Sequence, residues 1–167
     1  MNIKRIFRHL LYPLWLRRRA FPDAVMDRIE AAVVASEQAH AGEIRFAVEG
    51  ALDLLPLLRG VSARQRALAL FGELGVWDTE ANNGVLIYLL LAERDVEIVA
   101  DRGLNGRVGS RHWESICREM EAKFARGEFE AGVLLGIKRM DEVLRRNFPR
   151  SRAAEDVNEL PDRPVRV

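Results

Sequence analysis

Side chains that carry oxygen are concentrated in two short segments of the sequence, on either side of a pair of predicted strands. The two segments contribute six carboxylate or amide groups: Asp78, Glu80, Asn82, Asn83, Asp101 and Asn105. Such oxygens are the ligands that a hard cation such as calcium prefers. The same residue types also favour turns in which the side chain bonds to nearby backbone. The residues alone leave open whether the segments bind a ligand or only shape two loops.

The two strands should bring these segments together. Residues 84–92 form a continuous apolar run bounded by turn residues, which is typical of a strand buried on both faces. Residues 95–100 alternate apolar and polar side chains, and the residues between the two runs suit a tight hairpin. Because the strands of a hairpin are antiparallel, residues 101–105 should return beside residues 78–83.

The rest of the chain predicts an α/β fold. Apolar stripes at helical spacing predict helices within residues 22–41, 62–75, 110–126 and 129–148. Residues 43–49 alternate as a strand near the edge of the sheet, and its helical connection to the next strand makes the two strands parallel. We therefore predict a three-layer α/β/α sandwich with a small mixed sheet, in the order α-β-α-β-β-α-α. Residues 50–60 are apolar but contain Pro56, and predict a packed loop or a short helical turn.

The sequence divides into three parts. Residues 1–20 form a basic amphipathic N-terminal segment, residues 21–149 form the α/β/α domain, and residues 150–167 predict a disordered tail because they combine charges of both signs with two prolines and few apolar residues. With 167 residues, 49% of them hydrophobic, the chain is long enough for one compact core. Cys117 is the only cysteine, which excludes an intramolecular disulfide and a zinc-thiolate cluster and fits a reducing compartment.

Charge is distributed unevenly along the chain. Residues 1–19 carry six basic residues and no acidic residue, so a net charge of +1 leaves −5 for the other 148 residues. The body therefore offers no basic patch for nucleic acid. The basic segment is too short and too interrupted by Pro13 for a membrane span, and it lacks the small-residue site of a secretory signal.

The N-terminal segment has the composition of an interfacial helix. Its apolar residues share one face of a helical projection: Ile3, Ile6, Phe7, Leu10, Leu11 and Leu14. Lys4, Arg5 and Arg8 lie opposite, where each could add about 1 kcal/mol on an anionic lipid surface. The sequence leaves three alternatives: the segment binds a membrane surface, it packs on the domain or on a membrane-protein partner, or it is disordered.

Two sequence motifs carry a resemblance to a known family. The run NNGVLIYLLL (residues 82–91) is followed by an acidic turn, a short amphipathic strand and ADRGLNGRVG (residues 100–109). This arrangement resembles the TPM domain family over about residues 21–148. The family groups thylakoid-lumen phosphatase-like proteins, photosystem repair factors and many bacterial proteins. The resemblance implies the sandwich fold and a non-catalytic accessory or binding domain.

The resemblance also implies site residues. TPM proteins include calcium binders, and the matching positions make Asp78 and Asp101 candidate calcium ligands, with Asn82, Asn83 and Asn105 as secondary ones. Many bacterial relatives carry a signal peptide and a terminal membrane span. This chain has neither, so we expect a cytoplasmic protein, either free or peripheral on the inner membrane.

The family also includes acid phosphatases, so the alternative is a metal-assisted phosphatase acting on phosphoesters. Arg102, Arg107 and Arg111 could stabilise the developing charge of that reaction. The sequence contains no nucleophile motif, no histidine pair at metal spacing and no glycine-rich phosphate loop. We therefore expect no enzymatic activity, with a weak acid-phosphatase-like activity as the alternative.

A second group of acidic residues should collect at the opposite edge of the sheet. Glu49, Glu93 and Asp95 follow or end the predicted strands there, at the usual ligand edge of an open α/β sheet. The pattern around Glu93 and Asp95 predicts a solvated hairpin turn. The sequence does not predict an oligomeric state.

Overall fold

The computed structural model of the protein describes residues 3–150 and 158–167. Its elements follow in the order α1 (Ile3–Leu10), α2 (Leu14–Ala20), α3 (Asp23–Glu37), β1 (Glu43–Glu49), α4 (Leu54–Leu58), α5 (Ala63–Glu73), β2 (Gly84–Leu90), β3 (Asp95–Ala100), α6 (Arg102–Asn105), α7 (Ser110–Ala125), α8 (Phe129–Asn147) and β4 (Val165–Arg166). Every helix and strand predicted from periodicity is present. The segment around Pro56 forms the short helix α4, and α6 adds one turn after β3.

Local sequence signals set the ends of helix α5. Ser62 Oγ accepts a hydrogen bond from the Gln65 amide at 3.1 Å, and the Gln65 side-chain oxygen accepts one from the Ser62 amide at 2.9 Å. This is the predicted capping box, which satisfies two amides at the start of the helix. Past the other end, Gly75 has a φ of +66°, a left-handed conformation that glycine adopts without steric cost.

The four strands form one mixed sheet in the order β3-β2-β1-β4. β1 and β2 are parallel, and Glu43 pairs with Gly84 at their amino ends. β2 and β3 are antiparallel, and Val85 pairs with Ala100 at the same edge of the sheet. All seven residues of β2 are buried, because helices cover both faces of this central strand.

The core lies on both faces of the sheet. Phe46, Ile87 and Leu89 contribute to the cluster beneath α3, α7 and α8. Leu86 and Tyr88 point the other way, toward the cluster that includes residues of α4 and α5. This alternation along the strands gives the predicted three-layer α/β/α sandwich with a mixed sheet. In the part of the chain that the structure describes, every helix is too short or too polar to cross a membrane.

The predicted disorder of residues 150–167 is wrong for residues 158–167. Strand β4 pairs in parallel with β1, and the Val167 amide donates to the Val48 carbonyl at 3.0 Å. Leu160 is buried in the core, and the Glu43 carboxylate accepts the Glu159 and Leu160 amides. Composition predicts how much apolar surface a segment can bury, but it does not register the free edge of β1. Residues 151–157 of the predicted tail lie outside the described residues.

Candidate functional site

The hairpin brings the two oxygen-bearing loops to one edge of the sheet, as its register requires. The Asp101 amide donates to the Gly84 carbonyl at 2.9 Å, just beyond the last pair of the β2–β3 ladder. Residues 78–83 and 101–105 therefore lie side by side at the amino ends of the parallel strands. We call these two segments the loop edge.

Close backbone contacts hold the loop edge together. The Gly103 amide donates to the Asn82 carbonyl at 3.0 Å. A Cβ at Gly103 would come within 2.8 Å of the Ala81 carbonyl oxygen and closer still to that of Asn82, so this position excludes a side chain. Asn82 itself has a φ of +51°, which asparagine tolerates better than most residues. The buried Thr79 accepts the Asn83 amide on its hydroxyl oxygen at 3.1 Å and closes the loop.

Asp101 caps the short helix α6 and keeps one oxygen unpaired. Its Oδ1 accepts the Arg102 amide at 2.6 Å, whereas Oδ2 is buried and has no hydrogen-bond donor. The Arg102 side chain crosses to the other loop, where its Nε donates to Asn82 Oδ1 at 2.6 Å. The arginine therefore occupies one of the oxygens that the sequence offers to a cation.

Asn83 contributes a second unpaired oxygen. Its Nδ2 donates to the Ala41 carbonyl, which fixes the orientation of the amide and leaves Oδ1 buried without a donor. Among the described residues, Asn83 Oδ1 and Asp101 Oδ2 are the only buried side-chain oxygens that lack a partner. Both belong to the loop edge. A buried acceptor without a donor is costly, and a donor or a cation beside either oxygen would offset that cost.

The structure brings only part of the predicted ligand set together. Hydrogen bonds and strand pairing join the segments of Asn82, Asn83 and Asp101, but no hydrogen bond or ion pair of the described residues links the side chains of Asp78 and Asn105 to them. Asp78 is exposed in the turn after α5. Asn105 is exposed and lines a separate cavity of about 580 Å³ between β3 and α7.

The tail supplies a carboxylate that the sequence analysis missed. Glu159 Oε2 accepts the Glu80 amide at 2.8 Å, so this side chain lies against the first loop of the edge. No sequence signal near Glu159 indicates this contact, because it depends on the pairing of β4 with β1. Among the described residues, no three histidine, cysteine or acidic side chains are grouped closely enough to hold a metal. Amide and carbonyl oxygens would therefore have to complete a cation site at this edge.

Two of the arginines considered for phosphoester chemistry are engaged elsewhere or exposed. Arg107 donates to the Asn147 carbonyl at 2.7 Å and lies over the Phe148 ring, with its guanidinium carbon 4.8 Å from the ring centroid. Arg111 is exposed on α7. Only Arg102 reaches across the loop edge.

A serine, a histidine and an aspartate lie together elsewhere, beneath α3 and α8, but their hydrogen bonds do not run in the direction that a catalytic triad requires. His40 Nδ1 accepts the Gly42 amide at 3.1 Å, so the ring proton is on Nε2 and points to Ser36 Oγ at 2.9 Å. The Ser36 hydroxyl then donates to Asp141 Oδ1 at 3.2 Å. A nucleophilic serine would instead donate to the histidine. The network connects two helices.

The comparison with known proteins decides the family. The TPM domain family matches residues 18–143, which is well over half of the chain. The protein belongs to the TPM domain family. The chain is also similar to the BA42 protein from the psychrophilic bacterium Bizionia argentinensis, solved by NMR, with 26% sequence identity and a TM-score of 0.75 over 86% of this chain and 93% of that one. None of the curated proteins matches this chain.

The N-terminal helix α1 lies outside the matched region of the TPM domain and docks on it through polar residues. His9 is fully buried; its Nδ1 accepts the Leu52 amide at 2.9 Å, and its Nε2 donates to Glu93 at 2.6 Å. Arg5 donates to the same Glu93 oxygen at 2.5 Å and to the Val61 carbonyl at 2.8 Å. Although burial opposes it, the hydrogen bonds from Arg5 and His9 lower the pKa of Glu93.

The hairpin at Glu93 is therefore the place where α1 docks. The prediction that this turn is solvated is wrong for Glu93. His9 and Glu93 are 84 positions apart. A buried contact between such distant residues leaves no periodic signal in the sequence. The one available clue was a histidine on the basic face of a helix that lacks any acidic residue.

Because α1 docks through Arg5 and His9, most of its apolar face points to solvent, and Ile6 packs against the core cluster that includes residues of α4 and α5. Three residues of α1, Leu11 in the turn that follows, and neighbours on α2 and on the adjacent α4 are exposed; we call them the head surface: Ile3, Phe7, Leu10, Leu11, Trp15, Leu54, Leu55 and Leu58. Leu11 is 74% exposed and Trp15 60%. Lys4, Arg8, Arg18 and Arg19 are exposed on the same two N-terminal helices. An apolar surface with basic neighbours is a chemical match for an anionic lipid surface.

Proposed function

We propose that this TPM domain is a non-catalytic binding domain that associates with an anionic membrane surface through its head surface. The observation that carries the proposal is the inverted docking of α1, which buries His9 and exposes Phe7, together with Leu11 just past the end of the helix. An amphipathic helix that only stabilised the domain would bury its apolar face. A helix that inserts into the lipid interface presents that face outward, with cations nearby to meet the headgroups.

Tryptophan fluorescence tests the membrane proposal. Trp15 is on the head surface, Trp77 is also exposed, and Trp113 is buried, so the Trp77→Phe variant makes Trp15 the exposed reporter. We expect a blue shift with vesicles that contain phosphatidylglycerol, a weaker response with phosphatidylcholine alone, and weaker binding as salt is raised. Replacing Phe7 and Leu11 by serine should weaken binding by about tenfold per residue.

A matched control keeps this test specific. Val34→Ser alters an apolar side chain that is also exposed, on α3, whose buried residues pack on the other face of the sheet. This variant should bind vesicles as the unchanged protein does. If the Phe7→Ser/Leu11→Ser variant binds equally well, or if Trp15 does not respond to anionic vesicles, the membrane proposal is wrong.

A divalent cation at the loop edge is the second candidate function. Its support is the pair of buried oxygens without donors, Asn83 Oδ1 and Asp101 Oδ2. Carboxylate, amide and carbonyl oxygens suit calcium, and the small number of formal charges predicts a modest affinity. Calcium would have to compete with the Arg102 guanidinium for Asn82 Oδ1.

A calcium titration followed by amide chemical shifts tests this candidate. We expect saturable shifts confined to residues 78–84 and 101–109, abolished by Asp101→Asn and unaffected by Asn105→Ser, which alters an exposed side chain. Asp78→Asn decides whether the exposed Asp78 contributes. If no shifts appear at millimolar calcium, the loop edge does not bind calcium and its polar residues only form two turns.

The phosphatase alternative depends on the same edge. It predicts turnover of a generic phosphoester in the presence of calcium or magnesium, abolished by Asp101→Ala. If the phosphoester is not hydrolysed with either metal, the phosphatase alternative is wrong, and the two binding proposals are unaffected.

A further inference from the structure

A cavity of about 880 Å³ lies at the carboxyl ends of the parallel strands, away from the loop edge. Leu91 and Ala92, the residues that follow β2, line it, and their amides donate to the carbonyls of Glu49 and Gly50. In open α/β sheets this is the edge at which ligands bind. A volume of this size is within the range of small-molecule sites.

The cavity has an apolar body. Hydrocarbon side chains from four parts of the structure line it: Leu16 of α2, Val25 of α3, Leu91 after β2, and Phe129 and Leu134 of α8. Leu91 and Val25 are almost fully buried, at 4% and 7% exposure. Such a lining accommodates an alkyl chain or an aromatic ring.

The charges at the cavity are not balanced. Its two carboxylates are already paired: Glu128 with Lys123 and Arg126, and Glu130 with Arg28. Hydrogen bonds from these cations lower the pKa of both glutamates, so each pair is ionised. The two arginines of the lining, Arg19 and Arg94, make no ion pair with any described residue. The cavity therefore presents unpaired positive charge beside an apolar interior.

Two further groups favour an anion at the same place. The first turn of α8 lines the cavity, and no side chain caps its amides. The N-terminus of a 19-residue helix attracts negative charge, and the two carboxylates at this helix start, Glu128 and Glu130, are already neutralised by Lys123, Arg126 and Arg28. The Tyr12 hydroxyl also belongs to a lining residue, and burial raises its pKa, so it is present as a hydrogen-bond donor.

We propose that this cavity binds an amphipathic carboxylate, a medium-chain fatty acid or a molecule of like shape, with its carboxylate held by Arg19 and Arg94 and its apolar part among Leu16, Leu91 and Leu134. Arginine suits this role because its planar fork binds a carboxylate with two hydrogen bonds. The site shares no lining residue with the head surface, and it is distinct from the loop edge, which lies at the opposite ends of the strands.

A titration with dodecanoate, followed by calorimetry and by amide chemical shifts, tests the proposal. The titration stays below the micelle-forming concentration of dodecanoate and contains no vesicles. We expect saturable binding with shifts in residues 91–94 and 127–134. Dodecyltrimethylammonium, which has the same chain and the opposite charge, should not bind, and dodecanol should bind more weakly than dodecanoate. Equal binding of dodecanol and dodecanoate would overturn the role of the arginines, and no dodecanoate binding would overturn the site.

Variants separate the site from a merely structural cavity. Arg94 has a φ of +54°, so Arg94→Asn removes the charge while keeping a residue suited to that conformation. We expect binding about tenfold weaker for this variant and for Arg19→Gln, as for the loss of one charge-assisted hydrogen bond. Arg111→Gln, at an exposed arginine of α7, is the matched control and should bind normally. Unchanged binding in Arg94→Asn would contradict the proposal.

A third variant fills the cavity. Ala131 is exposed on α8 at the cavity wall, so Ala131→Trp should abolish dodecanoate binding while leaving the melting temperature near that of the unchanged protein. Binding retained by this variant would place the ligand elsewhere. Phe7→Ser/Leu11→Ser should bind dodecanoate normally, and Arg94→Asn should bind vesicles normally, so this proposal and the membrane proposal can fail independently.

Discussion

Glu37 is the clearest case of a single side chain whose ionisation opposes the fold. Its Oε1 accepts the Ile44 amide at 2.8 Å, where α3 gives way to β1. Burial raises the pKa of Glu37 to about 9, and the nearby carboxylates of Glu43 and Asp162 add to that effect. Because the ordinary pKa of a glutamate is 4.5, the folded state holds this proton more tightly than the unfolded state does.

The pH dependence of stability follows from that difference. The stabilising contribution of protonated Glu37 is complete below pH 4.5 and is lost as pH rises toward 9. The Glu37→Gln variant keeps the oxygen that faces Ile44, and we expect its stability to decline less as pH rises. At pH 8 it should be more stable than the unchanged protein by about 2 kcal/mol. This is less than the full pKa shift implies, because the site is only partly buried. Urea unfolding between pH 5 and 9 measures it.

The control for this prediction is Glu114→Gln, at an exposed glutamate of α7. It should leave the slope of stability against pH unchanged. If Glu37→Gln shows the same slope as the unchanged protein, another group controls the pH dependence.

Whether the position and contacts of a single residue could be predicted depends on how close its partners are in the sequence. The location of Asn83 and Asp101 at one edge of the sheet was predicted from the sequence, because a hairpin register fixes it whatever the rest of the chain does. Glu93 was assigned to a solvated turn, because its partners Arg5 and His9 are in a separate segment. The hydrogen bond from the Arg102 amide to Asp101 was one of two alternatives that the sequence left open, since one residue at a helix start offers either a cap or a ligand with the same atoms.

At the scale of elements, two segments outside the predicted α/β/α domain, α1 and β4, pack on it. Helix α1 is attached by the hydrogen bonds of Arg5 and His9 and by the packing of Ile6. Strand β4 is attached by the edge of β1 and by Leu160. The periodicity of α1 was readable from the sequence, but which of its faces docks was not, because the partner surface has no signature of its own.

His9→Phe tests the attachment of α1. Phenylalanine fills the space but cannot accept the Leu52 amide or donate to Glu93, and an unpaired buried group costs about 1–3 kcal/mol. We expect the free energy of unfolding to fall by that amount and trypsin to cleave after Arg8 more rapidly. Lys4→Gln, on the exposed side of the same helix, should change the stability by less than about 0.5 kcal/mol. Equal stabilities of the two variants would mean that His9 does not attach the helix.

Removal of residues 158–167 tests the role of β4. The truncated chain loses the burial of Leu160, which is worth about 2 kcal/mol, and exposes the backbone of β1 as an edge strand. We expect lower stability and concentration-dependent self-association, measured by urea unfolding and by analytical ultracentrifugation.

A second variant distinguishes the lost side chain from the lost strand. Leu160→Ala keeps the β1–β4 pairing and should destabilise the domain by about 2 kcal/mol, less than the truncation does, without causing association. If the truncated chain remains monomeric at every concentration tested, β4 does not protect the edge.

For the whole molecule, the sheet separates the functional surfaces. The loop edge is at the amino ends of β1 and β2, whereas α1 docks on Leu52 and Glu93, beyond their carboxyl ends. Seven-residue strands separate the two ends by about 20 Å. A domain bound to a membrane through its head surface therefore directs the loop edge away from the lipid, with its carboxylates remote from the anionic headgroups.

This orientation can be measured with the tryptophans that mark the two ends. Trp15 is on the head surface, and Trp77 is exposed next to the loop edge. In anionic vesicles with brominated acyl chains, we expect strong quenching in the Trp77→Phe variant, which reports Trp15, and little quenching in Trp15→Phe, which reports Trp77. The buried Trp113 is common to both variants and cancels in the comparison. Equal quenching of Trp15 and Trp77 would mean that the domain lies on the membrane by a different face, with its strands along the membrane surface so that lipid reaches both ends of the sheet.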